Sequence, residues 1–155
     1  MELILWRHAE AEPHEAPKPD AERALTAKGK KQAARMGEWL DRHLPDNCRI
    51  LSSPAVRTVQ TAEALHRKFK THVSLSTDTT AEAILEAANW PNSKEPVLVV
   101  GHQPTLGHVI TLLLNGAAQD WTMRKGSICW IAQKADDEVE APYIKAILGA
   151  DLAGK

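Results

Sequence analysis

The sequence is poor in cysteine and has no long apolar run, and each absence excludes a class of protein. Its only cysteines, Cys48 and Cys129, lie far apart, which argues against a disulfide framework and against a zinc site. The N-terminal apolar run at residues 3–6 is too short for a signal peptide, and no window approaches the roughly 18 apolar residues of a membrane span. We therefore expect a cytoplasmic protein.

The chain also has almost no net charge, with 19 Lys and Arg against 20 Asp and Glu and a formal charge of −1. Broad binding of nucleic acid or of an anionic membrane favours a basic face, so we expect neither partner. A local basic cluster around a small anion is still compatible with this balance.

The length of 155 residues suits one domain, and 43% hydrophobic with 25% charged residues is ordinary for a globular protein. The sequence contains no internal repeat and no low-complexity segment. We expect a single domain over residues 1–155 that acts as a monomer.

Apolar runs alternate with helical patterns, which predicts an α/β fold: a three-layer α/β/α sandwich with a mainly parallel central sheet. Residues 9–25, with three prolines, should form an irregular loop. Thr26 is expected to cap the first helix, and Ser52 and Ser53 are suited to cap the second, whose apolar stripe extends to Leu65 and Phe69. The other helices are predicted over residues 80–89 and from Pro104. Strands are predicted at residues 2–7, 49–51, 73–75, 96–101, 128–132 and 143–148. An acidic turn is predicted at residues 136–138, between the last two strands. Those two strands could pair antiparallel at an edge of the sheet.

Basic side chains follow three of the predicted strands. Arg7 and His8 follow the first, Ser53 and Arg57 the second, and His102 the strand at residues 96–101. Because ligands of such folds lie beyond the carboxyl ends of the strands, we expect these side chains to meet at one rim. Two guanidinium groups, two imidazoles and two nearby helix N-termini favour a compact anion with several oxygens, and phosphate fits best.

A histidine in such a pocket could also act as a nucleophile. Neutral imidazole can attack phosphorus and form a phosphohistidine intermediate, and a positive environment keeps the attacking nitrogen unprotonated. The sequence has no Walker-type glycine loop and no His-x-x-x-His spacing. We therefore expect neither a bound metal nor another cofactor.

Four motifs carry a resemblance to a known family. They are Arg-His-Ala-Glu-Ala at residues 7–11, Arg-Ala-Leu-Thr-Ala-Lys-Gly at 23–29, Ser-Ser-Pro-Ala-Val-Arg-Thr at 52–58 and Gly-His-Gln-Pro at 101–104. In this order they resemble the histidine phosphatase superfamily, and the short chain with Arg-His-Ala resembles its phosphohistidine phosphatase branch, the SixA type. The resemblance implies a phosphoglycerate-mutase-like fold. It also implies that His8 is the nucleophile and that Arg7, Arg57 and His102 complete the phosphate pocket; Ser53 is a further candidate for substrate binding.

The chain departs from the wider superfamily at two points. Ala9 stands where many members have glycine, so a positive φ is not expected there. Larger members carry an acidic general acid after the third strand; Glu82 or Asp78 could serve here, although neither lies in a matched motif. A site without a strong acid would favour cleavage of P–N over P–O bonds, because an imidazole leaving group already carries a proton on its other nitrogen.

Three functions stay open at this stage. The first is a metal-independent phosphatase that acts on phosphohistidine of a protein, such as an HPt-type domain of a phosphorelay; the shortness of the chain favours such an open site. The second is a phosphatase for a small metabolite, which would need residues 9–25 to form a lid. The third is a module that binds phosphate without turnover.

Overall fold

The computed structural model describes residues 1–15, 17–134 and 141–154, and over these the chain forms one six-stranded sheet in the order β3-β2-β4-β1-β5-β6. The strands are β1 (Glu2–Arg7), β2 (Arg49–Ser52), β3 (Lys70–Thr71), β4 (Val97–Gly101), β5 (Ile128–Ala132) and β6 (Tyr143–Leu148). The helices are α1 (Ala27–His43), α2 (Val56–Glu63), α3 (Ala81–Ala87) and α4 (Thr105–Asn115), with short 3-10 turns at Asp20–Glu22, Val73–Leu75 and Ala150–Leu152. None of the helices in the described ranges is long and apolar enough to cross a membrane.

The sheet is parallel where the predicted site lies and antiparallel at its other end. Strands β3, β2, β4 and β1 pair in parallel, whereas β5 pairs antiparallel with both β1 and β6. The mainly parallel sheet and the antiparallel edge are therefore confirmed. The acidic turn expected at residues 136–138 lies outside the described residues.

Helices cover both faces of the central strands, which confirms the three-layer sandwich. Alternate residues of β1 point to opposite faces: Leu3 and Leu5 pack in the cluster that holds α3 and α4 residues, whereas Ile4 and Trp6 pack in the cluster that holds α1 and α2 residues. All four side chains are fully buried. A strand buried on both faces reads as a continuous apolar run, which is why β1 and β4 are recognisable from the sequence.

The N-terminal caps follow expectation for α1 and differ for α2. Thr26 Oγ1 accepts a hydrogen bond from Gly29 N, so the predicted cap of α1 is confirmed. The N-cap of α2 is Ala55, without a side-chain hydrogen bond, because Ser52 belongs to β2 and Ser53 Oγ accepts from Ala55 N just ahead of the helix.

Two sequence expectations about the third strand and the second helix are wrong. Residues Val73–Leu75 form a 3-10 turn, which begins where the ring of His72 accepts a hydrogen bond from Ser74 N, and the third strand is Lys70–Thr71. Helix α2 ends at Glu63, because the next amide groups bond three residues back and His66 adopts a φ of 57°. Leu65 is still fully buried, so its apolar character reflects the core and not helix length.

Candidate active site

The structure brings the four basic residues of the sequence analysis together. Arg7, His8, Arg57 and His102 all line one cavity of about 320 Å³ beyond the carboxyl ends of the parallel strands. The rings of His8 and His102 lie with their centroids 5.5 Å apart and their planes tilted by 55°. The expectation that these strand ends meet depends on β1 and β2 both pairing with β4, and that pairing is present.

Three buried nitrogen atoms at this cavity have no hydrogen-bond partner among the described residues. They are Nε of Arg7, Nε of Arg57 and Nδ1 of His102. Buried polar groups are nearly always paired, so three such atoms on residues of one cavity mark it as a candidate ligand site. Because the two Nε–H groups can only donate, the ligand must offer acceptors, as an oxyanion does.

Three of the four terminal arginine nitrogens are held by the protein. Arg7 Nη1 donates to Met123 O at 2.7 Å, which ties the end of β1 to the segment before β5. Arg57 donates from both terminal nitrogens to Asp20. Burial lowers the pKa of both guanidinium groups, yet arginine stays charged in proteins, so Arg7 and Arg57 each keep a positive charge at the cavity.

The geometry of His8 leaves one ring nitrogen free to act. Its Nδ1 lies 2.7 Å from Ala9 O, so Nδ1–H donates to that carbonyl and Nε2 carries the lone pair. Burial lowers the pKa of His8 to about 4, with the hydrogen bond to Ala9 O opposing this and nearby charges, led by Arg57, adding to it. His8 is therefore neutral at pH 7, chiefly through burial and only secondarily through the positive surroundings expected from the sequence.

His102 is held in place by Ser53. Its Nε2 lies 2.8 Å from Ser53 Oγ, which also accepts from Ala55 N. Among the described contacts, Nε2 is the one acceptor within reach of the Ser53 hydroxyl hydrogen, so we assign that hydroxyl as the donor to Nε2. The proton of the neutral ring is then on Nδ1, the atom without a partner. Burial, then the charges of Arg57 and His8, lowers the pKa of His102 to about 3. Ser53 itself is not among the residues that line the cavity, so it reaches the site through His102.

The two candidate general acids lie outside the cavity lining. Asp78 is exposed, and Glu82 is exposed in the first turn of α3. The residue of this segment that lines the cavity is Thr77, and the described lining residues include no carboxylate. The structure therefore brings neither acidic side chain to His8.

Helix α2 positions the loops on both sides of the site. Thr61 Oγ1 accepts from Ala9 N and donates to Arg57 O, while Gln60 Oε1 accepts from Leu25 N. These bonds tie the residue after His8 and the end of the proline-containing loop to one helix. Ala9 has no positive φ, in line with the expectation for alanine at this site.

Five residues at the site were not predicted from the sequence. Ala11, Thr77, Gln103 and Lys125 line the cavity, and Asp20, outside the lining, contacts Arg57. The one sequence signal near Lys125 was the glycine that follows it, because glycine can mark an unusual backbone conformation. In the structure Gly126 adopts a φ of 77°, and its amide donates to the carbonyls of Arg7 and His8. Asp20 had no sequence signal beyond its spacing of three residues from Arg23.

The family follows from comparison with known proteins. A model of the histidine phosphatase superfamily, branch 1, matches residues 3–80. The phosphohistidine phosphatase SixA homolog of Haemophilus influenzae is 30% identical over 128 residues, covering 73% of this chain and 77% of the relative. The chain belongs to the histidine phosphatase superfamily.

Solved structures agree on the fold. A SixA protein from Agrobacterium tumefaciens matches with a TM-score of 0.78 and 21% identity over 96% of this chain and 97% of the other. The protein histidine phosphatase SixA complexed with tungstate matches with a TM-score of 0.77 and 20% identity over 97% and 98%. These similarities confirm the phosphoglycerate-mutase-like sandwich expected from the sequence.

Proposed function

We propose that this phosphatase removes the phosphoryl group from phosphohistidine on a protein, through a phosphorylated His8 and without a metal. The observation that carries the proposal is the arrangement around His8: an unprotonated Nε2 beside three buried nitrogens that lack partners. A phosphoryl group bound there would give acceptors to the two Nε–H groups and to His102 Nδ1–H.

In the first step, the lone pair of His8 Nε2 attacks phosphorus. A new P–N bond forms while the P–N bond to the substrate imidazole breaks, and the leaving imidazole keeps the electron pair and carries a proton on its other nitrogen. Arg7 and Arg57 hold the charge of the oxygens as the group transfers, which is most of the catalytic task in phosphoryl transfer. The Ala9 carbonyl holds the proton on Nδ1 of His8 throughout.

In the second step, water attacks the phosphorus of phospho-His8. The P–N bond to Nε2 breaks, its electron pair returns to His8, and the water's oxygen and both its hydrogens leave with the phosphoryl group as dihydrogen phosphate. The same guanidinium groups stabilise this second transfer, because the phosphoryl group stays in the same pocket.

The choice of a P–N substrate is supported by the chemistry of the cavity and by a relative. With no carboxylate among the described lining residues, the site has no evident acid for an alkoxide leaving group, whereas an imidazole leaves readily without one. The relative from Haemophilus influenzae is named for phosphohistidine. We propose an HPt-type domain of a phosphorelay as the class of substrate, taken up by a monomeric enzyme. Both cysteines are free thiols, in keeping with the reducing cytoplasm in which we place it.

One observation favours a small phosphorylated metabolite as the second candidate. Ala11 and Arg23, both from the proline-containing loop, line the cavity, whose volume of about 320 Å³ could hold a small molecule. That function would still need a proton donor for the leaving oxygen, and neither Asp78 nor Glu82 lines the cavity.

The test is a substrate panel run on the wild type, His8→Ala and the control His43→Ala, whose histidine is exposed at the end of α1. We expect turnover of a phosphohistidine protein well above that of phosphoserine peptides and sugar phosphates. We also expect an acid-labile, base-stable label on the wild type, and a loss of about 10³-fold or more in His8→Ala without unfolding. Faster turnover of sugar phosphates would establish the second candidate, and phosphate binding without a trapped label would establish a binding module.

A further inference from the structure

We infer that Asp20 is a positioning residue, which clamps the guanidinium of Arg57 from behind so that its Nε faces the bound phosphoryl group. The inference rests on the proposed phosphate site. It adds to the site a residue from the loop before α1, which none of the four sequence motifs contains.

The contacts between Asp20 and Arg57 occupy only one end of the guanidinium. Arg57 Nη1 donates to the main-chain carbonyl of Asp20 at 2.9 Å, and Nη2 donates to its Oδ2 at 2.9 Å. The Arg57 side chain is only 3% exposed. Its remaining nitrogen, Nε, is buried without a partner.

Asp20 is itself held firmly enough to act as a clamp. Its Oδ1 accepts from Arg23 Nε at 2.8 Å, and its carbonyl also accepts from Arg23 N, which closes the 3-10 turn. Arg23 Nη1 in turn donates to Glu12 O. Although partial burial acts to raise the pKa of Asp20, attraction and hydrogen bonds from Arg57 and Arg23 outweigh it and hold that pKa below the ordinary value, so the carboxylate is charged at pH 7.

The geometry favours positioning over competition with the substrate. A carboxylate that competed with phosphate would bond to the nitrogens at the cavity, yet Asp20 is absent from the cavity lining and leaves Arg57 Nε free. Without Asp20, a buried guanidinium would have no charged partner among its present contacts and would turn towards solvent or another acceptor. That rotation would withdraw Nε from the phosphoryl group.

The experiment measures binding of inorganic phosphate by calorimetry and kcat/KM for a phosphohistidine protein in Asp20→Ala, Asp20→Asn and the control Glu22→Ala. Glu22 lies in the same turn and none of its side-chain contacts reaches Arg57. We expect phosphate affinity to fall about tenfold in Asp20→Ala and less in Asp20→Asn, whose amide oxygen can still accept from Nη2. Glu22→Ala should stay within about twofold of the wild type.

Two outcomes would overturn the inference. Both alanine variants remove one negative charge, so tighter phosphate binding in Asp20→Ala alone would identify Asp20 as a competitor. A further loss of similar size when Asp20→Ala is added to Arg57→Ala would show that Asp20 acts on the loop and not through Arg57; we expect no further loss there. Phosphate binding is measured without turnover, so it tests Asp20 independently of the substrate. If the wild type binds phosphate but does not hydrolyse phosphohistidine, the proposed substrate is wrong and the inference about Asp20 still stands or falls on the binding data.

Discussion

Two arginines, Arg67 and Arg57, differ in how completely the protein bonds their guanidinium groups. Arg67 donates from Nε to Asp41 Oδ1, from Nη1 to Pro45 O and from Nη2 to the carbonyls of Asp41 and Leu44, so every nitrogen has a partner at the end of α1. Arg57 is more deeply buried and yet leaves Nε unpaired. A fully bonded arginine is typical of a structural role, whereas one with an unpaired, buried donor is a candidate for ligand binding.

The cavities beside the two arginines differ both in volume and in the unpaired donors of their lining residues. Arg67 lines a larger cavity of about 580 Å³, together with Phe69 and other residues just before β3 and along β2. The cavity beside Arg57 has a volume of only about 320 Å³. Within the described ranges, the three unpaired buried nitrogens all belong to residues of the smaller cavity. Our assignment of the active site therefore rests on unpaired donors and not on cavity size.

The sharpest test of this comparison is the pair Arg57→Ala and Arg67→Ala. Arg57→Ala should lower kcat/KM by about 10²- to 10³-fold, because one of two charges on the phosphoryl oxygens is lost. Arg67→Ala should leave kcat/KM within about twofold but lower the free energy of unfolding by about 2 kcal/mol, since the carbonyls of Asp41, Leu44 and Pro45 lose their donor. Urea unfolding and steady-state kinetics on both variants provide the measurements. If Arg57→Ala and Arg67→Ala lost activity equally, the proposal that only the smaller cavity binds the phosphoryl group would be wrong.

The buried histidines of the smaller cavity predict an acid-sensitive fold. The pKa values of His8 and His102 are lowered to about 4 and about 3 in the folded protein, from an ordinary 6.5. Between the lowered pKa values and 6.5, the unfolded chain binds more protons than the folded protein. The free energy of unfolding therefore falls as the pH drops below 6.5. Each histidine should contribute a loss of about 2 kcal/mol between pH 7 and pH 5.

The measurement is urea unfolding of the wild type and of His8→Asn at both pH values. The difference between pH 7 and pH 5 should shrink by about 2 kcal/mol in His8→Asn. It should be unchanged in His43→Asn, because that side chain is exposed. If His8→Asn kept the full difference, the low pKa of His8 would be wrong.

The smallest expected effect concerns Ser53, which acts through His102. Ser53→Ala removes the hydroxyl that donates to His102 Nε2, so the ring can turn and its proton can move to the other nitrogen. We expect kcat/KM to fall about tenfold while the affinity for inorganic phosphate falls less, because both arginines are intact. A loss as large as that of Arg57→Ala would mean that Ser53 contacts the phosphoryl group directly.

Much of the site could be predicted because it lies at strand ends. Arg7 ends an apolar strand, His8 and His102 directly follow strands, and Arg57 lies about one helical turn beyond another. Parallel strands in one sheet bring such positions to the same edge, so sequence order was sufficient to group them. The 3-10 turn at Val73–Leu75 was mistaken for a strand because three residues carry too little periodicity to tell the two apart.

The sequence by itself determined the family motifs, the central strands and the four basic residues, since these depend on local apolar runs and on the order of elements. Only the tertiary structure decided which donors are left unpaired, that burial keeps His8 neutral, and that Asp20 lies behind Arg57. Those properties depend on which groups meet across long sequence separations. The bond between Asp20 and Arg57 spans 37 positions, and no local pattern records it.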